Sequence, residues 1–311
     1  MSRLNPAAVG IPVAAAFLTL GYAYLEAQAF TVREETLPIL PEGAAPIRVL
    51  HLTDLHLTPR QEHKIAWVQG LASLEPDFVI DTGDNLAHLQ AVPALTRALG
   101  PLLEIPGAFV MGSNDYYAPR LKNPARYLLA DARHRSRPAP PPLPHEELTR
   151  HFVRKGWIDL TNDRRSIDVK GTRLDFVGVD DPHLDRDVFP PATPASTVGA
   201  VRVGVTHAPY VRVLDQMHSD GCDAIIAGHT HGGQLCVPGF GALVTNCDLD
   251  RSRASGLHGW PGPRPDVVGG SNSTWLQVGA GLGTSPYTPF RIACRPEATL
   301  ITLVPRPVQK G

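Results

Sequence analysis

The chain has 311 residues, 43% of them apolar and 19% charged, enough for a deep core in one large domain or two small ones. With 29 basic and 30 acidic residues the formal net charge is -1, so no overall field draws nucleic acid. Aromatics, at 6%, are too few for a base-stacking platform, and no nucleic-acid partner is expected.

The first strong feature is the N-terminus, where no charge occurs from Ala7 to Leu25. At ~1.5 Å per residue this run nearly matches a ~30 Å hydrocarbon core, and Tyr22 and Tyr24 stand where interfacial anchors belong. Residues 1–28 therefore read as an N-terminal membrane helix, with a cleaved signal segment as the alternative because Ala27-Gln28-Ala29 has a small-x-small pattern. Arg3 precedes the span while Glu26, Arg33, Glu34 and Glu35 follow it, which makes the protein single-pass with its main domain extracytoplasmic. Residues 29–46, with an extended start at Phe30 and Val32, read as a linker.

From Ile47 the chain alternates strands and helices. Strand Ile47–Leu52 is followed by a helix near Gln61–Leu74, strand Asp77–Asp81, a helix near Ala91–Leu99, strand Ala108–Met111 and a helix near Asn123–Ala132. The proline run from Arg137 to Pro144 breaks this pattern as an exposed loop. Beyond it, Arg165–Val169 and Arg173–Val179 flank the turn Lys170-Gly171-Thr172 as a hairpin, and Val201–Thr206, Asp223–Ala227, Trp275–Gly279 and Thr299–Leu303 read as further strands. The Gly/Pro-rich stretch between Cys236 and Asn272 reads as a long loop, a substrate flap whose Phe240, Leu243 and Trp260 offer an apolar mouth. The domain spans 47–305 and 306–311 form a tail; the fold class is α/β, two mixed sheets facing each other with helices outside. The four cysteines, Cys222, Cys236, Cys247 and Cys294, lack Cys-x-x-Cys spacing and read as small buried residues, or as disulfide partners outside the cytoplasm.

Five polar blocks sit just after β-branched runs: Asp54-Leu55-His56, Gly83-Asp84-Asn85, Gly112-Ser113-Asn114-Asp115, His207, and Gly228-His229-Thr230-His231-Gly232-Gly233-Gln234. In open α/β sheets ligands bind outside the carboxyl ends of the strands, so these blocks share one rim. In an extended segment the imidazoles of His229 and His231 would point the same way. Imidazole, carboxylate and amide donors suit manganese, iron or zinc and exceed what one four-coordinate ion needs. Two divalent ions sharing a carboxylate would use them fully and activate a bridging hydroxide toward a phosphoester.

The order Asp-x-His, Gly-Asp, a Gly-Asn-His-Asp-like block, a lone His and Gly-His-Thr-His resembles the calcineurin-like metallophosphoesterases. The extended Gly-His-Thr-His-Gly-Gly-Gln form and Leu52-Thr53-Asp54-Leu55-His56-Leu57 look most like their membrane-linked bacterial subgroup. The resemblance implies a four-layer-type sandwich. It also implies one ion at Asp54, His56, Asp84 and His231, and a second at Asp84, Asn114, His207 and His229, with Asp84 as the bridge. The substrate would be a phosphomono- or diester, lipid or envelope linked in view of the anchor.

One block departs from the family pattern, because Gly112-Ser113-Asn114-Asp115 lacks the histidine. Ungapped, Ser113 takes the ligand position and Asn114 the catalytic histidine position; slipped by one residue, Asn114 is the ligand and Asp115 falls at the histidine position as an auxiliary acid. A protonated Asp115, His88 or a good leaving group would compensate for the missing histidine. The missing histidine also motivates a second reading, a metal-binding envelope scaffold with little or no catalysis. A single-zinc hydrolase of amide bonds leaves half of the ligands unused.

Overall fold

A computed structural model describes residues 17–121 and 140–307. In the first of two six-stranded sheets the order is β1 (Thr31–Leu40), β14 (Glu297–Pro305), β2 (Ile47–Leu52), β3 (Phe78–Asp81), β4 (Gly107–Phe109) and β5 (Ile158–Asp159). β2 to β5 are parallel, β14 is antiparallel to β2, and β1 is parallel to β14. The second sheet has the order β12 (Gly256–Trp260), β13 (Thr274–Val278), β9 (Ala224–Ala227), β8 (Val201–Thr206), β7 (Thr172–Gly178) and β6 (Arg164–Val169). Its four middle strands are parallel and both edge strands antiparallel.

The apolar runs are nearly continuous because both faces of each sheet are covered. Along β2, Val49 turns toward the second sheet while Leu50 and Leu52 turn outward. Between the sheets Phe78 stacks on Phe176 at 5.3 Å, among Ile80, Val203, Ile226 and Ile301. Full burial of such a side chain contributes about 1.5–3 kcal/mol. Outside the first sheet lie α2 (Glu62–Gly70), α3 (Val92–Leu99) and α5 (His145–Arg154), which contribute Ile65, Val68, Leu95, Leu99 and Phe152. Outside the second lies α6 (Val211–Ser219) with Val213, Leu214 and Met217. Gly204 of β8 is required there, since a Cβ would come within 2.6 Å of Met217 Sδ. The result is a mixed α/β fold with helices outside two facing sheets.

Several expectations are corrected. The segment read as a linker contains β1, a ten-residue edge strand that buries Leu37, Ile39 and Leu40. Pro38 is tolerated because it lies at the sheet edge, where the register to β14 shifts between Pro38 and Leu40. The stretch read as one long loop contains β10 (Cys236–Val237), β11 (Gly241–Ala242) and β12. Trp260 ends β12 buried in the core beneath α6, donating its indole N–H to Asp215, so it forms no apolar mouth; Phe240 and Leu243 are exposed. All four cysteines are free thiols.

At the N-terminus, 17–26 form a helix, α1, which exposes Phe17, Leu18, Leu20, Tyr22, Tyr24 and Leu25 and buries Ala23 and Glu26. Among the described residues no helix is long and apolar enough to cross a membrane. The Ala7 to Ala16 part of the apolar run, the expected helix at 123–132 and the start of the proline run lie outside the described residues.

Candidate metal centre

The loops leaving β2, β3, β4, β8 and β9 converge on one rim, bringing Asp54, His56, Asp84, Asn114, His207, His229 and His231 together. Five of them have left-handed backbone, with φ of 51° at Asp54, 43° at His56, 57° at Asp84, 71° at His229 and 51° at His231. Such strain costs of order 1–3 kcal/mol per residue and persists only where the surroundings over-determine it. Here the Asp54 N–H donates to Gly83 O and the His56 N–H to Asp84 O, at 2.8 and 2.9 Å. The histidine pair is therefore not extended as its spacing suggested. Its turn sends His229 toward His207 and His231 toward His56.

Two donor groups result, Asp54 with His56 and His231, and Asp54 with Asp84 and His207; within each the ligand atoms lie within 4.8 Å of one another. His56 Nε2 and His231 Nε2 face each other at 3.2 Å. Asp84 stands between the halves, Oδ2 at 3.5 Å from His56 Nε2 and Oδ1 at 3.5 Å from His207 Nε2. Asp54 Oδ2 accepts the Thr53 hydroxyl and the His229 N–H, whereas Oδ1 is buried without a hydrogen-bond partner, 3.4 Å from His231 Nε2. An orphaned carboxylate oxygen among bare imidazole nitrogens fits a cation.

Neighbouring carbonyls define the tautomers. His207 donates Nδ1–H to Thr82 O at 2.7 Å and His231 donates Nδ1–H to Gly283 O at 3.1 Å, so Nε2 of each is the nitrogen turned toward the site. His229 is reversed: Nε2–H meets Asn246 O at 3.2 Å, and Nδ1 faces His207. Burial lowers His56 to about 4 and His231 to about 3, and holds His229 well below its ordinary value, so these rings are neutral and ready to bind. At His207 burial is outweighed by the carboxylates of Asp84, Asp54 and Asp181, and the pKa rises to about 9. Asp84 moves the other way, held below the usual carboxylate range because His207, His56 and Asn114 outweigh its burial.

The irregular block after β4 forms one turn, α4 (Ser113–Tyr116), capped by Gly112. The Asn114 N–H donates to Asp84 Oδ1 and Asn114 Nδ2 to Asp84 Oδ2, at 2.6 and 2.8 Å, while the Ser113 hydroxyl reaches Asp84 Oδ1 at 3.5 Å. A half-turn of the Asn114 amide would put its oxygen there as a ligand. Asp115 is fully buried, and its carboxylate accepts N–H bonds from Asp84, Asn85 and Gly112 at 2.8, 2.9 and 3.0 Å. It braces the Asp84 loop, with backbone donors on both oxygens, while burial and the neighbouring Asp84 carboxylate push its pKa up to about 8. His88 is exposed and accepts the Gln90 N–H.

Other neighbours went unread in the sequence. Asp180 and Asp181 follow the end of β7, a polar pair after an apolar run, and the rim rule used for the other strands applies to them. Asp180 accepts the Tyr116 hydroxyl at 2.8 Å, tying β7 to the β4 loop. His183 packs against His229 with ring centroids 4.7 Å apart and meets the Tyr210 hydroxyl through Nδ1 at 3.0 Å. Arg291, with no local signal, is fully buried and donates to the carbonyls of Ala280, Gly281, Gly283 and His231.

Two facing mixed sheets whose strand ends gather imidazole, carboxylate and amide donors define a metal-dependent hydrolase scaffold. The sequence profile of the calcineurin-like phosphoesterases matches residues 47–233, and the chain belongs to that family as a metal-dependent phosphoesterase. It is 26% identical to the phosphodiesterase YaeI of Escherichia coli (strain K12), over 90% of this chain and 91% of that protein. It is also 26% identical to the uncharacterized metallophosphoesterase YkoQ of Bacillus subtilis (strain 168), over 86% and 89%. A Danio rerio transmembrane protein with metallophosphoesterase domain is 25% identical over 85% of this chain and 54% of its own length.

Proposed function

We propose that the enzyme works with two divalent ions and hydrolyses a phosphodiester. One ion would lie among Asp54, His56, Asp84 and His231, the other among Asp84, Asn114, His207 and His229, with Ser113 the competing donor to Asn114. The observation that carries this is the two-sided position of Asp84, each oxygen 3.5 Å from an imidazole of a different half. The all-nitrogen-and-oxygen donor set suits manganese, iron or zinc. Such a pair, when bound, supplies an acidified water as nucleophile and neutralises charge on the phosphoryl oxygens. The protein's part is to hold donors rigid: Thr53 and the His229 N–H orient Asp54, Thr82 and Gly283 orient His207 and His231, and Asp115 braces the Asp84 loop. The diester reading is supported by the Escherichia coli relative's name.

Attachment to a membrane through the N-terminal segment, with a lipid or envelope-linked substrate and an extracytoplasmic domain, belongs to the same proposal. It is supported by the exposed apolar side chains of α1, by the uncharged run before it and by the transmembrane Danio rerio relative. The protein should then stay in the membrane pellet through a salt wash and leave it in detergent. Release by salt alone would refute attachment.

The catalytic test is hydrolysis of an aryl phosphodiester and an aryl phosphomonoester by the purified full chain, with metal counted in the same sample. About two ions per chain and metal-dependent diester turnover, both lost in Asp84→Ala, are expected. One ion per chain with full turnover would refute the shared-carboxylate centre; faster monoester turnover would refute the diester.

A further inference from the structure

We propose that Cys236 and Cys294 are a reversible disulfide site whose oxidation loosens the loop carrying His231. Cys236 lies in β10, and its N–H donates to Ile292 O at 2.8 Å; Leu235 and Ile292 form a parallel bridge. The 234–237 and 291–294 segments thus run side by side, and a left-handed Ala293, φ 51°, turns the chain just before Cys294. Cys236 Sγ lies 3.1 Å from Gly232 O, and Cys294 Sγ 3.5 Å from the same oxygen. Both cysteines line a cleft of about 1060 Å³ between the α1–β1 connection and the β10–β11 turn, which admits a small oxidant. The other two cysteines, Cys222 and Cys247, are buried.

The reduced thiols have a task in the loop. Cys236 S–H donates to Gly232 O, and Cys294 S–H donates to His231 O at 3.2 Å. Gly232 is required for this packing, because a Cβ there would come within 2.6 Å of Cys294 Sγ. Oxidation removes both S–H donors and leaves Arg291 as the side chain holding His231 O. The oxidant is a low-molecular-weight disulfide. One cysteine sulfur attacks it and expels one small thiol; the second cysteine then displaces the other small thiol. The Cys236–Cys294 bond forms, the small disulfide is reduced, and both cysteine protons end on the two released thiols.

The consequence for the metal rests on His231 being a ligand, as proposed above; the cross-link itself does not. Loss of a supporting contact behind a metal ligand typically lowers metal affinity about 10–100-fold. The test treats the full chain with glutathione disulfide, maps peptides by mass and titrates zinc before and after. The expected result is a cross-link joining the Cys236 and Cys294 peptides and a 10–100-fold weaker zinc affinity, restored by reductant and absent in Cys236→Ser. Glutathione adducts without the cross-link would overturn the site. A cross-link with unchanged zinc affinity, or equal loss in Cys236→Ser, would overturn the coupling to His231.

Discussion

Replacing Asp115 separates a brace from an acid. Its carboxylate accepts three backbone N–H bonds, from Asp84, Asn85 and Gly112, in a fully buried place. In Asp115→Ala all three donors lose their acceptor, and an unsatisfied buried donor costs ~1–3 kcal/mol. With some water entering the space of the lost carboxylate, the low end applies, about 3–5 kcal/mol in all. That is a large fraction of a typical stability of ~5–15 kcal/mol. Asp115→Asn returns one oxygen, best used by the Asp84 and Gly112 donors that share Oδ2, and leaves the Asn85 N–H facing an amide N–H. Its cost should be about 1–2 kcal/mol. Urea unfolding of the chelated proteins at neutral pH measures both. An Asp115→Ala protein within about 1 kcal/mol of wild type, with turnover sharply reduced, would refute the brace and restore the acid.

Proton linkage and close packing yield two further predictions. In the metal-free protein His207 titrates at about 9, above its ordinary value of ~6.5, because three carboxylates face it. The stability it contributes is therefore complete below ~6.5 and is lost as pH rises through about 9. A metal ion displaces that proton, so affinity should rise about tenfold per pH unit between ~7 and ~8.5 and level off beyond about 9. Calorimetry in two buffers of different ionisation enthalpy reads the released proton, and identical heats in both would refute the assignment. Gly228→Ala would place a methyl group 1.8 Å from Thr53 Oγ1 and 2.9 Å from Asp54 Oδ2. The substitution should displace Asp54 and lower bound metal to under half, as measured by elemental analysis of the folded protein; normal metal content would show that the loop moves freely.

The candidate donors were legible along the chain because each follows an apolar β-branched run, and parallel strands bring their carboxyl ends to one rim. Asp54, His56, Asp84, His207, His229 and His231, which the structure brings together, all stand that way, and the strands 201–206 and 299–303 lie inside their sheets, neither at an edge. Their signal is local: burial on both faces demands continuous apolar residues. Strand β1 was not legible because Pro38 within it and Pro41 just after it resemble a linker and its pairing partner, β14, lies more than 250 residues away. Trp260 read as a mouth residue because composition does not say which side of a sheet a side chain faces. The role of Asp115 depends on three N–H groups from two different loops, and that of Arg291 on carbonyls spread from His231 to Gly283. The sequence by itself determined which donor atoms are available and at which strand ends. Only the tertiary structure decided which imidazole nitrogen faces inward and which carboxylate braces, because those assignments depend on hydrogen bonds between segments far apart in the chain.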